Sequence, residues 1–589
     1  MTQADPRFSL LAHTVDAVFL AAAGLLYLST LYPYLWWGDG PELVTAAWTD
    51  GVAHPTGYPV YLVLLKTFLW IPLGSIAWRA HLFSAVATLV GFACLLRLFP
   101  FDRERIAYFI GWRIGLSFLA LSPLLWEVSI LTEVYSLSFV FFGAILLVAK
   151  RWMSNPTRNG LLFLALLVGL AVGHHRLLGL MLPGLALGLA PAVSSGRTKW
   201  IWWTLAIPVF LVALAGPYFL TYLRAQGFPP LNWEDASTLG GLWNLFSGAQ
   251  FRTDLKIVRL QEWALYSRNA GPNPWSISSA ILSALPLLGW ENLRLGLLAA
   301  LAGAVFLFRE TPRIFWSGLV AWLIPTVFLA QYHVADLEQF HSIPFFLLGL
   351  GCAAGCGRLL EWSNAKHLIS GIALAVLLVG SIAFSVTGFT RPAETIAEVP
   401  ERYARRTLDA LPQSSILLAQ PALEGQAGDY VYYPLLYMKE VARRGTGAAL
   451  ISTSFMTSPW YRSTVGREGI ETGYFDDLEG GTAKIPVVDF DHETFLQGDR
   501  ALRFYRFGDR LIGNGYRSFL ARLGESFFPQ IEDRPLYATS DWKELEPFLE
   551  REVKWTEVLR VPILTRGVSS LDGKPLPTGK LYRAEFAGR

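Results

Sequence analysis

Asp39 and Glu42 stand three residues apart in Trp36-Trp37-Gly38-Asp39-Gly40-Pro41-Glu42-Leu43, and a histidine follows in His54-Pro55-Thr56-Gly57-Tyr58-Pro59. Carboxylates and imidazoles are the side chains that most often move protons near neutral pH, so this stretch can supply a general base. A plainer use is open as well. Pro41 near a helix start, with Asp39 before it and Glu42 three residues on, reads as a capping box on a helix running to about Asp50. The two readings are compatible, because a capped carboxylate is both ionised and aimed. His54 reads either as a solvated residue of a proline-rich turn or as a donor to a phosphate or sugar.

Other ionisable groups interrupt apolar stretches further on: Glu127 and Glu133, His174-His175-Arg176, Trp233-Glu234-Asp235, and Asp336-Leu337-Glu338 with His341. Glu133, beside Tyr135 at a helix entrance, reads as functional, and Glu127 as an exposed loop acid. Neighbours on a helix point about 100° apart, so His174 and His175 make a poor chelating pair. Arg176 offers a planar guanidinium that matches phosphate oxygens. There is no zinc-ligand spacing, P-loop, nucleotide-binding glycine fingerprint or Gly-x-Ser-x-Gly elbow. No metal ligand set is expected, and participation of a divalent cation is left open.

These groups need a scaffold, and the composition names its kind. Of 589 residues, 53% are hydrophobic and only 16% charged, and the mean hydropathy is +0.38. A water-soluble domain carries about a quarter charged residues, so much of this surface must face lipid. A net charge of +3 without a dense basic tract gives no reason to expect nucleic acid. Cys94, Cys352 and Cys356 lie in apolar runs and read as small core residues; Gly351, Gly355 and Gly357 read as helix packing.

Apolar runs of bilayer-spanning length, roughly 20 residues each, recur up to about residue 390, after which charged residues return. The expected architecture is a polytopic α-helical membrane domain over 1–390 and a soluble α/β domain over 391–589. Its first span, about Val15–Leu35, is expected to be a retained anchor. Tyr58–Leu73, with Pro59, Lys66 and Pro72, suits a helix lying at the interface. Further spans are expected near 81–98, 107–125, 134–149, 160–174, 177–193, 200–222, 293–308, 314–330, 342–357 and 367–388, about eleven crossings in all. With a cytoplasmic amino terminus, Arg97/Arg103/Arg105, Lys150/Arg151/Arg158, Arg197/Lys199, Arg309/Arg313 and Arg358/Lys366 all fall in cytoplasmic loops, as the positive-inside rule requires. That parity sends the acids and histidines, and the soluble domain, to the extracytoplasmic side. Strands are expected at Ser415–Ala419, Ala448–Ser452 and Ile485–Val488, and helices at Tyr403–Leu411 and Asp541–Arg551.

The string Gly38-Asp39-Gly40-Pro41-Glu42-Leu43-Val44-Thr45-Ala46-Ala47, followed by Gly51-Val52-Ala53-His54-Pro55-Thr56-Gly57-Tyr58-Pro59, resembles the first-loop signature of a large family of polytopic membrane proteins. Eukaryotic members of that family look like protein O-mannosyltransferases of the GT-C glycosyltransferase superfamily. Gly40 and Pro41 depart from the usual Gly-Asp-Ser-Gly-Glu-Leu, and Thr56 from the usual His-Pro-Pro-Gly-Tyr-Pro; both departures spare the ionisable residues. Similar elements are Glu133-Val134-Tyr135-Ser136-Leu137, His174-His175-Arg176, Leu231-Asn232-Trp233-Glu234-Asp235, Ser247-Gly248-Ala249-Gln250-Phe251-Arg252 and Asp336-Leu337-Glu338-Gln339-Phe340.

The resemblance implies a membrane-embedded donor, a sugar on a polyprenyl phosphate, and a catalytic base in the first outer loop, which falls on Asp39. Glu42, Glu133 or His54 would assist. The outer-face cations and imidazoles His54, Arg79, His174, His175, Arg176 and Arg252 would meet the donor phosphate. Tyr58, Trp233, Asp235, Asp336 and Glu338 would line the rim toward a hydroxyl-bearing protein, lipid or glycan acceptor. A membrane transporter and a non-catalytic lipid-carrier-binding protein are the competing readings, although no paired broken helices of inverted repeats stand out.

Overall fold

The computed structural model of the protein describes residues 6–194, 198–249, 294–329, 337–366, 398–419, 431–445, 447–452, 455, 458–466, 535–538, 553–562 and 578–586. Helices dominate up to residue 366. They are α1 (Pro6–Thr30), α2 (Gly40–Trp48), α3 (Pro59–Leu69), α4 (Ile76–Leu96), α5 (Ile106–Ala120) and α6 (Pro123–Ile130). There follow α7 (Tyr135–Ser154), α8 (Arg158–His174), α9 (Arg176–Leu180), α10 (Leu182–Ser194), α11 (Trp200–Ala225) and α12 (Leu239–Ser247). Then come α13 (Arg294–Glu310), α14 (Pro312–Leu329), α15 (Leu337–Phe340) and α16 (Ser342–Lys366). Among the described residues six helices are long and apolar enough to cross a membrane, or seven if the bent pair α5–α6 counts as one span. The chain is a polytopic helical integral membrane protein.

Two sequence expectations shift at prolines. The first span ends at Thr30, not Leu35, because Pro33 disfavours helical geometry at Tyr32. The expected span 107–125 breaks at Ser122-Pro123 into two helices bent by 66°. Pro123 opens the second helix, and the Ser122 hydroxyl accepts from the Leu125 N–H at 3.3 Å. The Tyr58–Leu73 piece contains an 11-residue helix, α3, too short to span. The expected span 367–388 lies outside the described residues.

Small residues bring the long helices together. A Cβ on Gly115 of α5 would lie 2.3 Å from the Ala353 Cα of α16, and one on Gly355 would lie 1.8 Å from the Ala299 carbonyl oxygen of α13. Close backbone approach replaces the hydrophobic drive that lipid cannot supply. α4 packs on α7, and α8 on α11, by the same means.

The two ends of the bundle differ. At one end, Arg105 ahead of α5 pairs with Glu361 of α16 at 2.7 Å, and Arg358 bridges Glu361 to Glu310. At the other, Tyr27 near the end of α1 donates to the Ala120 carbonyl at 2.9 Å, and His81 near the start of α4 meets the Tyr34 carbonyl at 3.0 Å. The loop carrying Asp39 begins at this second end.

The C-terminal elements mix helix and strand: α17 (Val399–Asp409), β1 (Ile416–Ala419), α18 (Tyr432–Glu440), β2 (Ala449–Ser452), α19 (Pro459–Gly466), β3 (Leu536–Ala538), β4 (Val553–Pro562) and β5 (Thr578–Phe586). The strands form one sheet in the order β2-β1-β3-β5-β4, parallel through β2-β1-β3 and antiparallel beyond. The expected strand Ile485–Val488 and helix Asp541–Arg551 lie outside the described residues. α18 packs on α2, and α19 on the turn at Trp233–Asp235, so this part sits against the loops that carry the polar groups.

α1 is held to α5 by a largely buried ion pair. Arg113 donates to Asp16 at 2.8 Å and spends its remaining donors on the Phe99 and Leu96 carbonyls, at 2.8 and 3.2 Å. Removing one partner of such a pair strands the other charge, at a cost of about 3–5 kcal/mol. Arg113→Met should therefore lower the unfolding temperature of the purified protein markedly, and the double change Asp16→Leu/Arg113→Met should recover most of it. Equal melting of the single variant and the wild type would contradict this role.

Candidate active site

Asp39 closes the loop between α1 and α2, and its carbonyl accepts the Leu43 N–H at 2.9 Å, as a residue just before a helix should. Its side chain makes no capping bond. The expected capping box does not form, because Glu42 turns to a distant partner. Glu42 Oε1 accepts from the His54 backbone N–H at 2.7 Å, and Oε2 lies 2.6 Å from His54 Nδ1. That carboxylate places a proton on Nδ1 and aims Nε2 outward, toward the Tyr58 hydroxyl at 3.2 Å and Asp39 Oδ2 at 3.6 Å. Glu42 is fully buried, whereas the Asp39 side chain is 36% exposed, so of the two acids Asp39 is the one a substrate can reach. The protein crowded around the Asp39 carboxyl raises it above its ordinary value; His54 pulls it down and Glu42 pushes it up further.

The loop holding His54 is shaped by backbone that few residues adopt. Tyr58 is left-handed at φ 41°, and Gly57, at φ 80°, lies so close to α12 that a Cβ would sit 2.8 Å from Leu245 Cδ2. The Val52 N–H donates to the Leu231 carbonyl at 2.8 Å, docking the 231–235 loop alongside. Trp233 is thereby placed with its ring 6.4 Å from that of His54. Glu234 and Asp235 both take positive φ, at 60° and 51°. Asp235 is occupied in holding that turn, accepting from Asn232 Nδ2 at 3.1 Å and Ser237 Oγ at 2.5 Å.

The break between α8 and α9 brings a third element. His175 Nδ1 accepts from the Leu177 N–H at 3.3 Å, capping α9, while its ring stacks on Tyr58 at 5.9 Å and meets Tyr135 at 5.5 Å. Its Nε2 is buried with no hydrogen-bond partner. Arg176 lies over the Phe246 ring at 3.9 Å, beside Tyr218, whose hydroxyl donates to the Thr56 carbonyl at 2.9 Å. The Nε and Nη2 of Arg176 are buried and unpartnered too. Buried donors normally have partners, which makes these orphan nitrogens exceptional.

Other expected residues stand elsewhere. Arg79 spends its guanidinium on the carbonyls of Leu69 and Ile71, the latter at 2.9 Å, and so fixes the end of α3 instead of facing a phosphate. His174 is wholly buried, with Nε2 between the Val134 carbonyl at 3.0 Å and Ser138 Oγ at 3.2 Å, in helix packing. Glu133 is nearly buried and faces Gln339, whose amide nitrogen reaches its oxygens at 3.1 and 3.2 Å. Its neighbour Thr132, just beyond α6, abuts Gly40 at the start of α2. Arg252 and Asp336 lie outside the described residues, as does the side chain of Glu338. Sequence reasoning missed Tyr218, Gln339 and the pair Phe455 and Trp460, which pack on Trp233 at 5.1 and 4.5 Å. Tyr218 sits in an apolar helix and carries no local signal.

Asp39, Glu42 and His54 offer ligand atoms within 4.8 Å of one another, close enough to suggest a cation. Both Glu42 oxygens, however, are taken by N–H groups of His54. This is a hydrogen-bonded set, and no step is assigned to a metal.

These features place an accessible carboxyl, Asp39, and the unpartnered nitrogens of His175 and Arg176 in the polar part of a helical membrane protein. Residues 39–194 match the N-terminal domain model of the protein O-mannosyl-transferase TMEM260 family. The chain is similar to the mouse protein O-mannosyl-transferase TMEM260, at 25% identity over 487 residues, which is 77% of this chain and 64% of the relative. It is also similar to the Dictyostelium discoideum protein O-mannosyl-transferase tmem260, at 28% identity over 151 residues, 24% of this chain and 18% of the relative. The chain thus spans a little under two thirds of the mouse protein and far less of the other. Among solved structures, ArnT from Cupriavidus metallidurans bound to undecaprenyl phosphate aligns with a TM-score of 0.48 at 12% identity, covering 98% of this chain and 99% of that one. Its apo form gives 0.47 at 14%, covering 97% and 98%.

The Glu42–His54 contact sets the geometry of the loop. Glu42→Ala strands two donors, which typically costs about 1–3 kcal/mol per buried group. The variant should melt measurably lower than the wild type, with Glu42→Gln, which keeps an acceptor, in between. A Glu42→Ala protein as stable as the wild type would show that the contact does not organise the loop.

Proposed function

We propose that the chain is an integral membrane glycosyltransferase that moves a sugar from a polyprenyl-phosphate-linked donor to an acceptor hydroxyl. The observation that carries this reading is the set of unpartnered Arg176 donors and the His175 Nε2, joined through Tyr58 and His54 to the accessible carboxyl of Asp39. Phosphate oxygens fit such donors, and a guanidinium meets them in two parallel bonds. The names of the TMEM260 relatives favour a mannosyl residue and a protein hydroxyl as donor sugar and acceptor.

In this mechanism Asp39 takes the proton as the acceptor oxygen attacks the anomeric carbon. The bond from that carbon to the carrier phosphate breaks as the new bond forms, so one displacement inverts the centre. The leaving phosphate is a weak base and needs no acid; Arg176 meets its growing charge. His54, braced by Glu42, holds Asp39 in place. The reading also divides the chain into a catalytic membrane domain over 1–390 and a soluble domain over 391–589, with Trp233 and Trp460 at their junction. An extracytoplasmic site is supported by the ion network of Arg105 and Arg358, which lies at the opposite end of the bundle.

Purified protein in lipid vesicles, given a labelled polyprenyl-phosphate sugar and a hydroxyl-bearing peptide, should transfer label to the peptide. Asp39→Asn should fold but lose at least about 10²-fold in rate, the usual worth of a positioned base. Asp39 acts only when unprotonated and its carboxyl is raised, so the wild-type rate should fall as pH drops through a value above the ordinary aspartate pKa of about 3.9. Near-normal transfer by Asp39→Asn would remove Asp39 from the mechanism. Arg176→Met should raise the KM for donor by about tenfold or more, with Arg176→Lys intermediate because an ammonium cannot bond in the same bidentate way; an unchanged KM would place the phosphate elsewhere.

A further inference from the structure

Away from this site, a cavity of about 450 Å³ opens where the first loop, the start of α4 and the C-terminal helix α17 meet. It is lined by Tyr34, Ser75, Trp78 and Glu401, among others. Two aromatic residues and an acid around one space suit a cation, which is attracted by the π-electrons of such rings and by the charge of the acid. Arg79 stands at the cavity's edge, its Nε donating to the Ser75 carbonyl at 3.4 Å, and among the described residues no ion pair of Glu401 is formed. Glu401 Oε2 accepts only from the Leu35 N–H at 3.3 Å. Its helical neighbours Arg402 and Arg405 pair with Glu398, at 3.6 and 3.1 Å, and Arg79 is held by backbone carbonyls.

The cavity also has a lipid-facing side. Trp70, Ile71 and Leu73, at and beyond the end of α3, are 68%, 39% and 53% exposed, and Leu73 itself borders the space. A tryptophan beside exposed aliphatic residues at the end of a short apolar helix is the pattern of a segment lying at the bilayer surface. The space is many times the ~30 Å³ that one water occupies in the liquid, which is room for a headgroup.

We propose that the cavity between Tyr34, Trp78 and Glu401 binds the ammonium headgroup of a membrane phospholipid of the phosphatidylethanolamine kind. The ammonium would sit among Tyr34, Trp78 and Glu401, with the acyl chains passing beside Leu73 into the bilayer. The same carboxylate touches the Leu35 N–H, just ahead of Asp39. A bound headgroup therefore joins lipid, α17 and the first loop through one side chain.

Native mass spectrometry of the full-length protein tests this, using phosphatidylethanolamine and phosphatidylglycerol with identical acyl chains. Wild-type protein should retain phosphatidylethanolamine in preference to phosphatidylglycerol. Glu401→Gln and, independently, Trp78→Leu should each weaken that retention about tenfold while leaving phosphatidylglycerol adducts unchanged. A melting curve for each variant establishes that it is folded, and either variant alone suffices for the comparison. Equal retention of both lipids by the wild type, undiminished phosphatidylethanolamine binding by a folded variant, or displacement by a lysine-containing peptide but not by added phosphatidylethanolamine would overturn the proposal.

Discussion

A single buried carboxylate organises the polar end of this molecule. Glu42 is wholly enclosed and spends both oxygens on one residue, His54, bonding its backbone and its ring. A buried charge is tolerable only when its hydrogen bonds are made, so this contact fixes the path of the chain from α2 to α3. The consequences spread outward. His54 is aimed at Asp39, Tyr58 is held left-handed with its ring against His175, and the backbone at Val52 is set to receive the 231–235 loop. Three segments far apart in sequence then meet around a carboxyl that water and substrate can reach.

Much of the scaffold was legible in the sequence because a bilayer imposes a coarse rule. Apolar runs must reach a certain length, so α4, α7, α11, α14 and α16 stand out whatever their partners. Boundaries were less legible, since they depend on local breakers. Pro33 cut the first helix short of its expected end, and Ser122-Pro123 turned one expected span into a bent pair. The short strands β1 and β2 were also readable, because each is a compact apolar run between polar segments.

The site was legible by residue type more than by partnership. Asp39, Glu42 and His54 could be picked out, but local spacing suggested that the two acids cap a helix, and a partner twelve residues away won Glu42 instead. Arg79 looked like any outer cation until the open carbonyls at the end of α3 claimed it. His174 and His175 are adjacent in sequence and yet divide between helix packing and the polar pocket, because the chain breaks between α8 and α9. Tyr218 gave no signal, since it acquires its place only when distant elements pack.

The central claim is that the Arg176 donors and the Asp39 carboxyl face one shared space into which a lipid-borne sugar phosphate fits. The most direct measurement is a density map of the protein with a polyprenyl phosphate bound. The account predicts the phosphate within hydrogen-bonding reach of Arg176 Nε or Nη2, with its sugar-bearing oxygen turned toward Asp39. A phosphate seated among Arg105 and Arg358 at the other end of the bundle, or held at Arg176 with protein walling off Asp39, would contradict it.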